Sequence, residues 1–392
     1  MFRYNVDDRQ QAIREMVAQF AKKYIEPVSK DLDHRDDPDR FALDLYKTLG
    51  KEGFIAKRMP PQYGGGGISS IEYTTLVEEL CYYDPAVCLL DAVAELATYP
   101  IYTFGNEEQK KKYVPKCATG ELIPAFVLTE PEAGSDAVNQ KTTATPDGND
   151  YVINGEKIFI MHGDVADVLV LFVKVAGDGG EEKASRRITA ILVEARKNGQ
   201  LVPGIKVKTL KKKMGMRAAT TGRLWFDNVR VPKANLLGEI GQGFKIAMNT
   251  LDGARIGVAA QGLGVAERAL QESVDYAKKR ICFGSPIAKF QAIQWMIADM
   301  ATRIEAVRLM TYKASQMQDK GEKFSVEAAQ AKLFATEVAN FCVDRAMQIH
   351  AGYGYIGEFS VIEKLYRDQR IMEIYEGTSE VQRLVISGSY LR

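Results

Sequence analysis

Residues 374 to 383, Ile-Tyr-Glu-Gly-Thr-Ser-Glu-Val-Gln-Arg, set one carboxylate, Glu376, behind two bulky apolar residues and follow it with Gly377, Thr378 and Ser379. A carboxylate held against Ile374 and Tyr375 sheds water, so its pKa rises and it becomes a candidate proton acceptor. Gly377 permits a tight backbone. Thr378 and Ser379 can cap a helix whose apolar positions are Val381, Leu384 and Val385, leaving free N–H groups that suit an anion such as a phosphate. Read alone, the stretch is equally an ordinary helix N-terminus with acidic first-turn residues.

A second stretch sharpens that reading. Leu128-Thr129-Glu130-Pro131-Glu132-Ala133-Gly134-Ser135-Asp136 precedes the first by about 240 residues, and the two in this order resemble the signatures of the acyl-CoA dehydrogenase family. The resemblance extends over nearly the whole chain. It implies that Glu376 removes the α-proton of an acyl-CoA thioester while the β-hydride passes to N5 of FAD, with the thioester oxygen held by the backbone N–H of Glu376 and a flavin ribityl hydroxyl. Such a site stabilises the developing enolate as it forms. The family pattern also implies a homotetramer built on the C-terminal bundle and electron-transfer flavoprotein as the electron acceptor.

Carried over residue by residue, the resemblance assigns Phe126, Leu128, Thr129, Gly134 and Ser135 to the flavin, with Ser135 also within reach of the CoA phosphates. Many relatives next carry Trp-x-Thr-Asn-Gly; this chain has Phe159-Ile160-Met161-His162-Gly163. Phe159 can keep the packing on the ring, whereas Met161 removes a hydroxyl donor near N5 and leaves its backbone N–H. His162 reads as a partly exposed structural histidine. Arg280, Phe283 and Gln291 resemble the family's cross-subunit contact to the FAD pyrophosphate and adenine, for which a planar guanidinium is suited. Gln348, Ala351 and Gly352, then Thr378 and Glu380, match the rest of that cradle. Asp252 and Arg255 match the CoA-binding helix, and Tyr375 and Gly377 flank the base on the substrate side. Gly253 and Ala254, where branched-chain relatives place their base, cannot ionise, which leaves Glu376 as the family-position base. Val87 stands where glutaryl-CoA relatives carry an arginine, which argues against a dicarboxylate substrate.

One anomaly lies in the apolar run after Asp84-Pro85. Asp91 and Glu95 sit in a helix otherwise made of Ala86, Val87, Leu89, Leu90, Ala92, Val93, Ala94 and Leu96, and an acid there is costly unless protonated, paired or facing a wet cavity. Either both acids lie on a thin solvent or subunit-contact face, or Asp91 lines the acyl pocket as a second base, as the unusual acids of alicyclic acyl-CoA dehydrogenases imply. The rival readings of function are therefore a short-chain, butyryl-CoA-like dehydrogenase, a cyclohexane- or cyclohexene-carboxyl-CoA dehydrogenase using Asp91, and a family member that has lost catalysis and serves in binding or assembly.

The elements that must position these residues follow from hydrophobic period. Ile13, Met16, Val17, Phe20, Ala21 and Ile25 mark a first amphipathic helix, and helical spacing continues to about residue 118. Pro60 to Gly67 is a loop without the Gly-Lys-Ser/Thr of a nucleotide-binding loop. After residue 120 short β-rich runs at 125–128, 151–153, 158–160, 168–173, 188–193 and 224–226 alternate with turn signals at Pro146-Asp147-Gly148, Asn154-Gly155 and Gly177 to Gly180. Helical spacing returns at roughly 241–279, 288–319, 325–350 and from 378. The expected architecture is α+β, with an N-terminal helical domain (1–120), a middle antiparallel β-domain (121–232) and a C-terminal four-helix bundle (233–392); it lacks the βαβ alternation of a Rossmann fold.

Composition excludes several classes. Among 392 residues, Lys+Arg and Asp+Glu number 52 and 51, so no basic field exists for nucleic acid and any anion site is local. Five scattered cysteines without a Cys-x-x-Cys pair, and three histidines, make neither a disulfide framework nor a metal site. No apolar run approaches 18 residues and no signal core opens the chain, so a cytoplasmic protein without membrane insertion is expected.

Overall fold

A computed structural model describes residues 7–34, 42–175 and 187–391. Helix α1 (Asp8–Phe20) begins where Asp7 accepts a hydrogen bond from the Gln10 N–H at 2.9 Å, which satisfies one of the donors a helix start leaves unpaired. Its buried stripe Ile13, Val17 and Phe20 runs on to Ala21 and Ile25. α2 (Ser29–His34), α3 (Leu43–Lys51), α4 (Ser70–Tyr83), α5 (Pro85–Phe104) and α6 (Glu107–Ala118) follow. α5 starts as Asp84-Pro85 dictates: Asp84 Oδ1 accepts from the N–H groups of Ala86 and Val87 at 2.9 and 3.2 Å, and Pro85 lacks the N–H that the first turn cannot use. By length and composition α5 is apolar enough to cross a membrane, further than the sequence reading allowed, yet 67% of its most apolar window is buried inside the protein.

The sheet follows, and it corrects an expectation. β1 (Pro124–Val127), β2 (Thr143–Asp147), β3 (Asp150–Met161), β4 (Val168–Val175) and β5 (Ile188–Glu194) precede a small ribbon of β6 (Arg196–Lys197) and β7 (Gln200–Leu201), then β8 (Ile205–Thr209), β9 (Thr221–Pro232) and β10 (Leu236–Leu237). The order is β10-β5-β4-β2-β3-β9-β8, with β1 beside β4. β4 runs parallel to both β1 and β2, so the sheet is mixed and not antiparallel throughout. Strand direction depends on the crossover that returns the chain, which side-chain alternation does not encode. Pro146-Asp147-Gly148 does make the β2–β3 hairpin, with Asp147 opposite Asp150. Asn154-Gly155 makes no turn: it is a register shift inside β3, where Gly155 has φ +150° and a Cβ would lie 2.5 Å from Thr142 Oγ1. A bulge and a hairpin both need glycine, and only the partner strand decides between them. The turn expected at Gly177 to Gly180 lies outside the described residues.

The C-terminal helices are α7 (Gly243–Lys279), α8 (Gln291–Asp319), α9 (Ser325–His350), α10 (Gly352–Tyr355), α11 (Ile362–Gln369) and α12 (Ser379–Tyr390); a two-stranded hairpin, β11 (Ile281–Cys282) with β12 (Ser285–Pro286), separates α7 from α8. α7 crosses α4 closely because a Cβ on Gly264 would come within 2.2 Å of Glu78 O.

Buried charges join the three regions. Lys364 Nζ on α11 lies 3.0 Å from Asp84 Oδ1 and 2.6 Å from Asp368 Oδ2, while Asp368 Oδ1 accepts from Met216 N at 2.6 Å. Arg367 pairs with Asp33 at 2.6 Å. Arg14 on α1 reaches Glu78 and Glu79 of α4 at 3.1 and 3.2 Å, and Arg308 on α8 pairs with the same Glu78 and with Glu267 on α7.

Candidate active site

A tight turn (Arg370–Glu373) delivers the chain to Glu376, where two successive residues adopt left-handed backbone, Glu376 at φ +55° and Gly377 at φ +91°. Such a pair costs free energy at the non-glycine position and persists only where its surroundings hold it. Four side-chain hydrogen bonds do so. Glu376 O accepts from Gln382 Nε2 at 3.2 Å and, at the long distance of 3.5 Å, from Arg255 Nε; Gly377 O accepts from Gln382 Nε2 and Lys332 Nζ, each at 2.8 Å. Thr378 Oγ1 then caps α12 by accepting from Val381 N. The capping expected from sequence is present, with Thr378 as the cap and Ser379 as a buried first-turn residue.

The Glu376 residue is partly exposed, but its Oε2 is closed off from solvent and has no hydrogen-bond partner among the described residues. Burial pushes its pKa up to about 7, against the opposing pull of Arg255 and Lys332. Ile374 contributes less to this than expected, being 47% exposed. Tyr375 is turned inward, its hydroxyl donating to Gln261 Oε1. Arg255 is nearly buried and pairs with Asp252 at 2.6 Å, so the two residues assigned to CoA meet one another beside the base.

Asp91 and Glu95 correct the solvent-face expectation, being 0% and 2% exposed. Glu95 pairs with Arg58 at 2.8 Å. Asp91 Oδ2 accepts a long hydrogen bond, 3.4 Å, from the Tyr73 hydroxyl, and its Oδ1 has no partner among the described residues. Burial, reinforced by Glu95, holds the Asp91 carboxyl well above the usual carboxylate range although Tyr73, Arg58 and Lys57 oppose the shift.

The two flavin segments assigned from the sequence meet. Ile158 N donates to Thr129 O at 3.0 Å, and Lys157, wholly buried, donates from Nζ to Leu128 O at 2.8 Å and Gln140 Oε1 at 2.7 Å while pairing with Glu130 at 2.9 Å. Phe126 packs on Phe172, 4.8 Å between ring centres. Gly134 and Ser135 are exposed, with open space where a Gly134 side chain would be. Phe159 is 65% exposed and left-handed; Met161 is half-buried at the end of β3, opposite Thr221. His162 is wholly buried, which corrects the expected partial exposure; burial and Lys213 pull its pKa down to about 3, so it stays neutral through the physiological range.

Arg280, Phe283, Ala351 and Gly352 line one pocket of about 580 Å³, floored by Tyr276, His350 and Tyr353. Its size suits a small-molecule or cofactor fragment. The Arg280 guanidinium lies over the Tyr353 ring at 5.5 Å and Phe283 is 98% exposed, while a side chain on Gly352 would meet open space. A cation and open aromatic faces match the pyrophosphate and adenine of a dinucleotide. Gln291, at the start of α8, and Gln348 are exposed and outside the lining; Thr378 and Glu380 lie with the base at the start of α12. Lys332, Gln382 and Lys157 were not singled out from the sequence. Lys332 had a signal of the same kind as Asp91: a charge among Ala328, Ala331 and Ala335 on the apolar face of its helix.

Three family models match consecutive parts of the chain: the acyl-CoA dehydrogenase N-terminal domain at residues 7–121, the middle domain at 125–229 and the C-terminal domain at 241–391. The chain belongs to the acyl-CoA dehydrogenase family. It is therefore an oxidoreductase acting on CH–CH bonds, of an FAD-dependent family. The chain is 41% identical to the short-chain specific acyl-CoA dehydrogenase of Clostridium acetobutylicum, over 99% of this chain and 100% of that one. The butyryl-CoA dehydrogenase structure from Megasphaera elsdenii superposes with a TM-score of 0.92 at 40% identity, with full coverage of both chains. A chain from a structural study of the electron transferring flavoprotein of Acidaminococcus fermentans and flavin-based electron bifurcation gives 0.93 at 42% identity, again with full coverage of both.

Proposed function

We propose that this acyl-CoA dehydrogenase oxidises short-chain acyl-CoA thioesters to 2-enoyl-CoA with Glu376 as the base. The observation that carries the reading is the Glu376 carboxylate itself: one oxygen shut off from water and unbonded, with a pKa pushed up to about 7. A base poised near the working pH holds a large ionised fraction and keeps a strong affinity for the proton it removes. The left-handed turn at 376–377 fixes the carboxylate, and the backbone N–H of Glu376 is the candidate donor to the thioester oxygen. FAD, when bound, supplies the acceptor for the β-hydride. Phe126, Leu128, Thr129, Gly134, Ser135, Phe159 and Met161 are proposed to hold its ring, and Arg280, Phe283, Gln291, Gln348, Ala351, Gly352, Thr378 and Glu380 the remainder. Arg255, with Asp252, Ser135, Tyr375 and Gly377, is proposed to hold the substrate.

On likeness to its family the protein is proposed to be a homotetramer that passes electrons to electron-transfer flavoprotein; on composition and the change of hydrophobic period it is proposed to be cytoplasmic and divided near residues 120 and 232. A second substrate class is favoured by one observation. Asp91 is an acid sealed in an apolar helix with one oxygen unbonded, a costly arrangement that a role on a carbon remote from the thioester would explain, as in a cyclohexane- or cyclohexene-carboxyl-CoA.

The base is tested by Glu376→Gln in the holoenzyme. The amide cannot take the α-proton, so FAD and CoA binding should persist while bleaching of the flavin by butyryl-CoA slows by ~10²–10⁴-fold. Bleaching at the unmodified rate would place the base elsewhere.

A further inference from the structure

Lys332 on α9 is 0% exposed. Its ammonium carries three donors, and its one hydrogen bond among the described residues goes to Gly377 O at 2.8 Å. Among the described residues no carboxylate lies within 4.0 Å of it, unlike Arg255, whose charge is partly spent on Asp252. A buried ammonium with so few contacts is held in place by the field of something else. Of the anionic groups around it, Glu376 has the strongest pull, ahead of Glu373 and Glu380. The same lysine thus grips the backbone one residue beyond the carboxylate, and its ammonium makes no ion pair with that carboxylate.

We propose that Lys332 is a positioning residue for the base: it locks the left-handed 376–377 backbone through the Gly377 carbonyl and supports the ionised form of Glu376 at a distance, without bonding the oxygen that must take the proton. The inference rests on the reading of Glu376 as the base. A direct salt bridge would hold the carboxylate ionised but weaken it as an acceptor, and no cation at all would leave it protonated at neutral pH. Arg255 from α7 and Lys332 from α9 are the charged groups acting on Glu376; Arg255, Glu373 and Glu380 are the others acting on Lys332. Burial brings the Lys332 pKa down to about 8, so the ammonium is still mostly charged at the Glu376 midpoint, near 7.

The test uses Lys332→Met, which keeps most of the length of the side chain and removes both charge and donor, with Lys332→Arg as the conservative control. The Glu376 carboxyl is titrated directly in the FAD-loaded protein by infrared difference spectroscopy against Glu376→Gln, and the pH profile of kcat/KM is measured in parallel. In Lys332→Met the carboxyl midpoint should rise by about one unit, lowering the ionised fraction at pH 7 roughly fivefold. KM should change little, and Lys332→Arg should recover most of the midpoint. An unmoved midpoint in Lys332→Met overturns the proposal. If that variant fails to retain FAD, Lys332→Gln is read in the same way. The two readings fail separately: rapid flavin reduction by Glu376→Gln would remove the base, whereas an inactive Glu376→Gln with an unmoved midpoint in Lys332→Met would remove only the lysine's role.

Discussion

Arg255 reaches Glu376 at its carbonyl oxygen, 3.5 Å from Nε, and not at its carboxylate. The guanidinium gives its short contact to Asp252 instead. A bidentate arginine on the carboxylate would hold it well below its ordinary pKa and use the lone pairs needed for proton transfer. By gripping the backbone, Arg255 fixes the turn and leaves the side chain free. The base is therefore close to positive charge without being neutralised by it.

The pH profile should show this balance. Only ionised Glu376 can accept a proton, and its pKa is raised to about 7 by burial, so kcat/KM for butyryl-CoA should climb with pH and level off above a midpoint near that value. His162 lies far below it, at about 3, so His162→Gln should leave the midpoint in place. Steady-state kinetics from pH 5.5 to 8.5 (chosen to bracket roughly the range in which a carboxylate so raised titrates) checks both; a midpoint that moved with His162→Gln would assign the limb to the histidine.

Met161→Thr should raise the flavin potential. A hydroxyl at the end of β3 adds one donor worth about 0.5–1.5 kcal/mol, which for two electrons corresponds to roughly 10–30 mV. The side chain is half-buried at a strand end, so thermal stability should barely move. Redox titration with dye mediators reads the shift, and an unchanged potential would leave the backbone N–H at 161 in control.

Asp91→Asn separates the substrate classes. The residue is wholly buried, so a silent outcome of the kind expected for surface substitutions is not anticipated. Asparagine preserves shape and the Tyr73 contact but cannot take a proton. If Asp91 serves as a second base, oxidation of cyclohexanecarboxyl- or cyclohexene-carboxyl-CoA should fall ~10²-fold or more while butyryl-CoA oxidation changes little. Equal losses on every substrate would assign Asp91 to the packing of α5.

Lys157→Met should damage stability and flavin retention together. It removes the cation from Glu130, 5% exposed, leaving the carboxylate only the backbone N–H groups of Lys141 and Thr142 among the described residues, and frees the Leu128 carbonyl. Breaking one side of a buried pair costs roughly 3–5 kcal/mol, and the 128–135 segment loses its anchor. Differential scanning calorimetry with FAD content per subunit is the measurement. Full FAD retention at an unchanged Tm would show that Ile158 and Gln140 suffice.

Much of this was legible in the chain. α7 and α9 start and end within a few residues of the positions their spacing marks, Thr378 caps its helix, and the two flavin segments meet through Ile158 and Thr129. What the chain concealed has physical causes. The parallel pairing of β4 with β1 and β2 depends on how the chain crosses over, and a bulge at Gly155 looks like a turn until its partner strand is known. The burial of Asp91 and His162 is a property of packing from several elements at once. Lys332 and Gln382 belong to the site through backbone carbonyls, and a carbonyl acceptor leaves no mark on residue type.

Lys364 binds Asp84 at the start of α5 and Asp368 on its own helix, and Asp368 binds the backbone at Met216 ahead of β9. Helices from the first and last parts of the chain thus share one buried set of charges, tied to the backbone of the segment that leads into β9. Recombination between relatives meets a constraint here that domain borders do not reveal. A chimera that took its first third from one parent and its last from another would inherit half of the set, and unless both parents carried matching members it would seal an unpaired charge inside the protein. The sensible unit of exchange in this enzyme is the trio of Asp84, Lys364 and Asp368, drawn from positions some 280 residues apart.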